Sequence, residues 1–258
     1  MVVTRQARAL VRLTALALLT AAVSLVWLAG AALTSPAPRA RRRWRQLMFR
    51  GWARAVASVL GMTIEVKGEI PTPPFFLVSN HLSYVDIVLL AARLDGLFVA
   101  KSEVSSWPLI GFLTRVIGTI FVDRRSKRDA LRVLALLERR MAEGEGVVIF
   151  AEGTSTRGDG VLPLRPALLE WAAQEGFPVC YASLTYRTPP DGPGADLAVC
   201  WWGDMTFGAH LIDLLRLPGF QAILTYGRDA IRDRDRKRLA ARLHRAVQEQ
   251  FIPVVTPE

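Results

Sequence analysis

The sequence predicts an α/β domain, with a mixed and mostly buried sheet flanked by helices, preceded by an N-terminal helical segment that crosses or lies on a membrane. Short β-rich runs alternate with helical runs of about ten residues after residue 60, which is typical of an α/β sheet. Two runs, FFLV at 75–78 and VVIF at 147–150, are apolar without alternation, as expected for strands buried on both faces. An uncharged segment of 22 residues, Leu13 to Thr34, precedes them.

The bounds of the individual elements follow from this alternation. The candidate strands cover residues 63–67, 75–79, 97–100, 119–123, 147–151, 178–186, 196–202 and 221–226. The candidate helices of the domain cover residues 84–93, 106–116, 127–142, 164–175, 207–216 and 233–250.

The segment from Leu13 to Thr34 is long enough to cross a bilayer, which takes about 20 apolar residues as a helix. A cleaved signal peptide is the alternative, but its apolar region spans only about 7–15 residues. The two cysteines, Cys180 and Cys200, form no disulfide framework and fit a reducing compartment. We therefore interpret residues 13–34 as a transmembrane helix within a membrane anchor that comprises residues 1–60.

Residues 44–60 predict a second, basic amphipathic helix. Arg43, Gln46, Arg50 and Arg54 recur at spacings of three and four and therefore share one face. The opposite face is apolar and contains tryptophans, a composition that suits a membrane interface. This apolar face could also pack on the domain, and both contacts are compatible.

The net charge of +10 lies entirely in the membrane anchor. Residues 1–60 contain ten arginines and no Lys, Asp or Glu, so the remaining chain is neutral. This excess flanks an apolar segment, which indicates anionic lipid head groups as the partner and argues against nucleic acid. Arginines are denser after the segment, at 39–45, than before it. The positive-inside rule therefore predicts a cytoplasmic membrane protein whose C-terminal domain faces the cytoplasm.

Among the three histidines, His81 is the candidate catalytic residue. It follows a buried strand and precedes a helix, the edge at which α/β proteins place their sites, whereas His210 and His244 fit packed or solvated helix positions. Asp86 can reach it only if His81 lies in the turn and Asp86 in the first helical turn. Ser83 as the N-cap, with Asp86 at N3, supports this arrangement. A carboxylate can orient one imidazole nitrogen and leave the other to accept a proton.

Two further strand ends carry polar residues. Asp123 and Arg124 end the run GTIFVDR, and an arginine can bind phosphate oxygens in a bidentate way. Glu152, Gly153 and Thr154 end the run FAEGT, where glycine allows backbone N–H groups to approach an anion. The sequence contains no Gly-x-Ser-x-Gly motif and no glycine-rich nucleotide motif, which argues against a serine hydrolase and a nucleotide site.

These blocks, NHLSYVD from Asn80, GTIFVDR, FAEGT and FPVCYA, resemble the four motifs of the glycerolipid acyltransferases typified by 1-acylglycerol-3-phosphate acyltransferase. The resemblance covers about residues 75 to 185 and implies an acyltransferase domain over residues 61–258. It implies that His81 deprotonates the acceptor hydroxyl and that Asp86 supports it. Arg124, Glu152, Gly153 and Thr154 would bind the acceptor, and Pro178-Val179 would line the acyl site. It also implies no cofactor, no metal, and acyl-CoA or acyl carrier protein as the donor.

The chain departs from the family pattern at two positions. Ala151 stands where a proline usually precedes the Glu, and Ser155 stands where a basic residue often follows the Thr. Either change could alter the acceptor, so we expect 1-acylglycerol-3-phosphate as the substrate, with another lyso-lipid such as lyso-ornithine lipid as the alternative. A metal phosphoesterase using His81, Asp86, Asp123 and Glu152 and a non-catalytic membrane-binding module are more remote alternatives.

Overall fold

The structure is a computed structural model and describes residues 2–34, 37–106, 110–123 and 127–255. Within these ranges, the helices are α1 (Val2–Thr34), α2 (Pro38–Leu60), α3 (Val85–Ala91), α4 (Ile110–Val116), α5 (Lys127–Ala142), α6 (Glu170–Glu175), α7 (Ala195–Ala198), α8 (Phe207–Arg216) and α9 (Arg236–Gln250). The strands are β1 (Met62–Lys67), β2 (Phe76–Ser79), β3 (Gly96–Lys101), β4 (Ile120–Val122), β5 (Gly146–Phe150), β6 (Val179–Arg187) and β7 (Phe220–Tyr226). Two short 3-10 helices cover Ser102–Ser106 and Pro166–Leu169.

The seven strands form one mixed sheet in the order β1-β7-β6-β2-β5-β3-β4. Neighbouring strands pair in parallel, except that β6 and β7 are antiparallel. The strands β2, β3, β4, β5 and β6 therefore all end at one edge of the sheet, which we call the carboxyl edge. The predicted mixed α/β sheet is confirmed, and the carboxyl edge brings together the residues that follow β2 and β5 and the end of β3.

The central strands are buried on both faces because helices cover the sheet on each side. Every residue of β2 and β5 is buried, which explains why their sequences are apolar without alternation. Phe76 of β2 stacks on Trp171 of α6 with ring centroids 5.7 Å apart. Each such large apolar side chain contributes about 1.5–3 kcal/mol when it leaves water, so this core fixes the position of the carboxyl edge.

One predicted strand is wrong. Residues 196–202 form the short helix α7 and a turn, because local bonds satisfy their backbone: the N–H groups of Val199 and Cys200 both donate to the carbonyl of Ala195. The N–H of Trp201 then donates to the carbonyl of Leu82, which ties this turn to the loop after β2. Ala198, Val199 and Cys200 are buried without belonging to the sheet, whereas Leu197 is exposed.

Several helix bounds also differ from the sequence-based ones. The second helix begins at Pro38, because a proline at the first helical position costs no backbone bond. The last helix begins at Arg236, because the Asp235 side chain caps it by accepting from the N–H groups of Lys237 and Arg238. The predicted helix 164–175 is divided between a 3-10 turn and α6.

Helices α1 and α2 form an antiparallel hairpin that packs on the domain. Trp52 Nε1 donates to Thr20 Oγ1 at 3.1 Å, and α2 packs on α3 and β1. The start of α1 is held by Arg8 and Arg12, which donate to the carbonyls of Arg216 and Leu217 at 2.9 and 2.6 Å. These carbonyls lie at the C-terminal end of α8, where the helix dipole favours a cation.

The outer face of α1 is apolar and exposed. Among the described residues, one helical segment, Thr4–Thr34, is long and apolar enough to cross a membrane by length and composition. Its exposed side chains include those of Leu18, Leu25, Val26, Leu28 and Leu33. The opposite face packs against α2 and α8, so protein covers one side of the predicted transmembrane segment along much of its length.

Candidate active site

His81 lies directly after β2 at the carboxyl edge, and its imidazole faces Asp86. The distance from His81 Nδ1 to Asp86 Oδ2 is 2.7 Å. The Asp86 side chain is fully buried, whereas 21% of the His81 side chain is exposed. His81 Nε2 has no hydrogen-bond partner among the described residues, so it is available to a group in the cleft. The pair can therefore hold one tautomer of the imidazole and present the other nitrogen as a base.

The Asp86 carboxylate is fixed by three further donors. Oδ2 accepts from the backbone N–H groups of Leu82 and Ser83 at 2.7 and 3.0 Å, and Oδ1 accepts from the Tyr186 hydroxyl at 2.7 Å. Burial, and next the charge of Asp86, raises the pKa of Tyr186 well above its usual value, so this hydroxyl remains a donor. These bonds compensate the carboxylate for its loss of water and fix its orientation toward His81.

Half of the predicted capping box is present. The Asp86 side chain reaches back to the N–H of Ser83, as the motif requires. The Ser83 hydroxyl, however, is buried and makes no hydrogen bond with any described residue, so it does not cap α3. The N–H of Asp86, which a serine cap would bind, donates to the backbone carbonyl of Ser83 at 3.1 Å, and α3 begins only at Val85.

Glu152 lies beneath the His81 loop and outside the wall of the cleft. Its Oε1 accepts from the backbone N–H of His81 at 2.6 Å, and its Oε2 accepts from the N–H of Leu162 at 2.7 Å. Burial raises the pKa of Glu152 to about 7, the two N–H groups oppose this rise, and the charge of Asp86 adds to it. The geometry thus gives Glu152 a part in positioning the His81 loop, in place of the direct acceptor contact that we expected.

Phe150, the last residue of β5, holds the imidazole from one face. The two ring centroids are 4.1 Å apart and the rings are nearly parallel, at 16°. This stacking and the bond to Asp86 together restrict both torsions of the His81 side chain. No role was predicted for Phe150 from the sequence, although its position at the end of a buried strand was a signal for one.

The cleft in front of His81 has a volume of about 330 Å³. Gly153 and Thr154, both predicted to bind substrate, line its wall beside Ser155, and Lys101 at the end of β3 adds a cation. The Ser155 hydroxyl donates to the carbonyl of Trp201, which joins these two lining residues of the cleft. Lys101 was not predicted from the sequence, although its position at the end of a strand, like that of Arg124, was a signal for a site residue. Arg124 lies outside the described residues.

An apolar cavity of about 180 Å³ adjoins this cleft. The two share Tyr84, Ile87, Thr114, Ile117 and Phe207, and the apolar cavity extends between α1, α2 and α4. Pro178 and Val179, by contrast, line neither cavity. Val179 starts β6 in register with Phe76, at the edge of the sheet opposite His81, so the expectation that this pair lines an acyl site is wrong.

No group of three or more possible metal ligands occurs among the residues that the structure describes. The site thus consists of a carboxylate-held imidazole in an open cleft that continues into an apolar cavity. Such a site defines a class of enzyme that activates a hydroxyl beside a long apolar chain.

Comparison with known proteins identifies this class more narrowly. A family model described as Acyltransferase matches residues 62–184. A lyso-ornithine lipid O-acyltransferase of Rhizobium meliloti is 32% identical over 209 residues, covering 76% of this chain and 70% of that protein. A 1-acyl-sn-glycerol-3-phosphate acyltransferase of Neisseria meningitidis is 31% identical over 158 residues, covering 58% of this chain and 62% of that protein.

A solved structure shares the fold. The crystal structure of the 1-acyl-sn-glycerophosphate acyltransferase from Thermotoga maritima matches with a TM-score of 0.65 at 22% identity, covering 95% of this chain and 97% of that one. The chain belongs to the glycerolipid acyltransferase family.

Proposed function

We propose that this enzyme transfers a fatty acyl group from a thioester to the free hydroxyl of a lyso-lipid, with His81 as the general base. The observation that carries the proposal is the 2.7 Å contact between His81 Nδ1 and the fully buried Asp86, at the mouth of a cleft that continues into an apolar cavity. A base in this arrangement accelerates proton transfer by about 10²–10⁴-fold.

The reaction follows from the positions of these groups. His81 Nε2 accepts the proton of the acceptor hydroxyl while the hydroxyl oxygen attacks the thioester carbonyl. The tetrahedral intermediate then collapses, the carbon–sulfur bond breaks, and the imidazolium returns its proton to the leaving thiolate. Asp86 stabilises the imidazolium, and Glu152 and Phe150 hold the His81 loop and ring. Acyl-CoA and acyl carrier protein both supply such a thioester.

We propose lyso-ornithine lipid as the preferred acceptor and 1-acylglycerol-3-phosphate as the second candidate. The similarity to lyso-ornithine lipid O-acyltransferases extends over more of both chains than the similarity to the Neisseria enzyme. Ser155, which replaces a basic residue, binds a carbonyl with its hydroxyl and brings no cation to the cleft. Both features favour an acceptor whose head group is an amino acid.

An assay with one labelled acyl thioester and both acceptors tests this order. We expect a higher kcat/KM for the lyso-ornithine lipid. A higher kcat/KM for 1-acylglycerol-3-phosphate would reverse the order and leave the acyltransferase proposal intact. In that case Lys101→Ala and Arg124→Ala should raise the KM for the phosphate-bearing acceptor much more than the KM for the donor, because each removes a charge-assisted contact.

We propose further that the exposed face of α1 attaches the enzyme to the cytoplasmic face of the membrane, with the helix embedded lengthwise. Both ends of the α1–α2 hairpin contact the domain, through Arg8 and Arg12 at one end and through the Arg45–Glu145 pair near the other. A helix held in this way presents one apolar side to lipid. Flotation with vesicles in high salt should retain the intact chain, and release by salt would contradict this attachment.

A further inference from the structure

A second, polar cavity lies at the elbow of the α1–α2 hairpin, away from His81. Its volume is about 760 Å³, and its walls come from the end of α1, the start of α2, and the C-terminal ends of α4 and α5. Seven arginines line it, against two glutamates: Arg39, Arg41, Arg42, Arg45, Arg115, Arg139 and Arg140, with Glu143 and Glu145. The net positive charge of this wall contrasts with the neutral balance of the chain after residue 60.

The two glutamates are already paired with arginines. Arg45 donates to both oxygens of Glu145 at 2.5 and 2.6 Å, and Arg139 and Arg140 each donate to Glu143 at 3.0 Å. Four other lining arginines have side chains that make no hydrogen bond or ion pair with a described residue: Arg39, Arg41, Arg42 and Arg115. These like charges come from two different helices, α2 and α4, so the fold brings them together at a cost in repulsion.

The hairpin also contributes apolar and aromatic side chains to the wall, beside Val116 of α4 and Ala142 of α5. Trp27 and Ala31 of α1 and Trp44 of α2 line the cavity, and Trp44 Nε1 donates to the carbonyl of Trp27 at 3.2 Å. On the same stretch of α1, Val26, Leu28 and Leu33 are exposed. An apolar surface that ends at tryptophans and arginines is suited to a lipid whose chains lie along the helix and whose head group meets the cations.

We propose that this cavity binds the phosphate-bearing head group of an anionic phospholipid. Guanidinium groups bind phosphate oxygens in a bidentate way, and the unpaired arginines of α2 and α4 supply them from two sides. The acyl chains lie against the exposed face of α1, so the inference rests on the proposed attachment of that face to the membrane. A lipid bound here joins the hairpin to α4, which carries Thr114 of the catalytic cleft.

Neighbouring arginines on α2 provide a matched test. Arg42 lines the cavity and Arg43 does not, although both lie in the same turn of α2. Arg42→Gln and Arg43→Gln therefore remove the same charge from the same helix. The full-length protein is titrated with vesicles of phosphatidylcholine alone and of equal parts phosphatidylcholine and phosphatidylglycerol. Arg42→Gln should weaken binding to the anionic vesicles by about tenfold more than Arg43→Gln, because it removes a charge-assisted bond as well as a charge.

Arg115→Gln, on α4, should reproduce the deficit of Arg42→Gln. Equal losses in Arg42→Gln and Arg43→Gln would overturn the cavity as a site and leave only general attraction to the surface. Failure of the wild type to bind either kind of vesicle would instead contradict the proposed attachment by α1. Soluble coenzyme A forms the last arm: if it displaces the protein from anionic vesicles in the wild type but not in Arg42→Gln, the cavity takes the phosphates of the acyl donor and the lipid proposal is overturned.

Discussion

The carboxyl edge around His81 and the α1–α2 hairpin differ in whether their polar groups have hydrogen-bond partners within the protein. At the edge, the buried Asp86 has four donors, and both oxygens of Glu152 accept backbone N–H groups. At the hairpin, large apolar side chains are exposed, and its elbow cavity contains three arginines of α2 and one of α4 whose side chains have no partner among the described residues.

This difference fits the two roles that we propose, catalysis at the carboxyl edge and membrane attachment at the hairpin. A network whose groups are satisfied internally holds one geometry, which general-base chemistry needs, since a small displacement of the base costs much of the rate. A surface with unpaired cations and exposed apolar side chains is satisfied only by an external partner. Substitutions at the edge should therefore change chemistry or folding stability, whereas substitutions on the hairpin should change association with membranes.

His81→Ala should have the largest effect. Turnover should fall by about 10²–10⁴-fold, the usual contribution of a general base, with little change in folding or in vesicle binding. The measurement is transfer of a labelled acyl group in detergent. His244→Ala is the control, since His244 lies on α9 and contacts the carbonyl of Val161. Wild-type turnover in a folded His81→Ala protein would remove His81 from the mechanism.

Glu152 should make stability depend on pH. Its pKa is about 7 in the fold against 4.5 for an unperturbed glutamate, so between these values the unfolded chain releases a proton that the folded chain retains. The free energy of unfolding should therefore fall by about 3 kcal/mol as the pH rises from 4.5 to 7, and should change no further above 7 from this group.

The comparison is with Glu152→Gln, measured by denaturation in detergent at several pH values. Glu152→Gln should be less stable overall, because an amide nitrogen cannot accept the N–H that the second oxygen accepts, but it should lack this fall between pH 4.5 and 7. Parallel stability curves for the two proteins would show that Glu152 is ionised throughout.

Tyr186→Phe should cost about 1.5–3 kcal/mol of folding free energy, since it removes a hydrogen bond to a buried carboxylate. It should also lower turnover, because Asp86 then holds His81 less firmly. Tyr226→Phe is a matched control: the Tyr226 hydroxyl is also buried but has no hydrogen-bond partner among the described residues. Equal losses in both variants would mean that the hydroxyl of Tyr186 contributes nothing specific to the Asp86 network.

The smallest effect is expected on the hairpin. Leu25→Gln removes an exposed apolar side chain of α1 and should weaken vesicle binding by about tenfold, corresponding to the burial of one leucine. Turnover on a dispersed short-chain acceptor should stay unchanged. Leu131→Gln, equally exposed but on α5, should leave vesicle binding as it is. A loss of turnover without a loss of binding would break the division between the two regions.

Local patterns in the sequence determined most of the candidate site at the carboxyl edge. The continuous apolar runs of β2 and β5 predicted buried strands, and their ends predicted where His81 and Glu152 would lie. The capping pattern around Asp86 predicted that it could reach His81, because both residues belong to one strand–turn–helix unit whose geometry is local. The concentration of arginines in residues 1–60 also indicated a membrane partner, because the distribution of charge along the chain can be read without knowing the fold.

Only the tertiary structure decided what depends on distant parts of the chain. Tyr186 bonds to Asp86 across 100 positions, and the packing of β6 beside β2 brings them together. The Glu152 carboxylate does not line the cleft, because its two oxygens accept hydrogen bonds from the backbone N–H groups of His81 and Leu162. Residues 196–202 have the apolar composition of a strand, but they form α7 and a turn and do not pair with the sheet. The cavity at the elbow likewise exists because α2, α4 and α5 meet there. Contacts between helices that are far apart in the chain cannot be predicted from local sequence patterns.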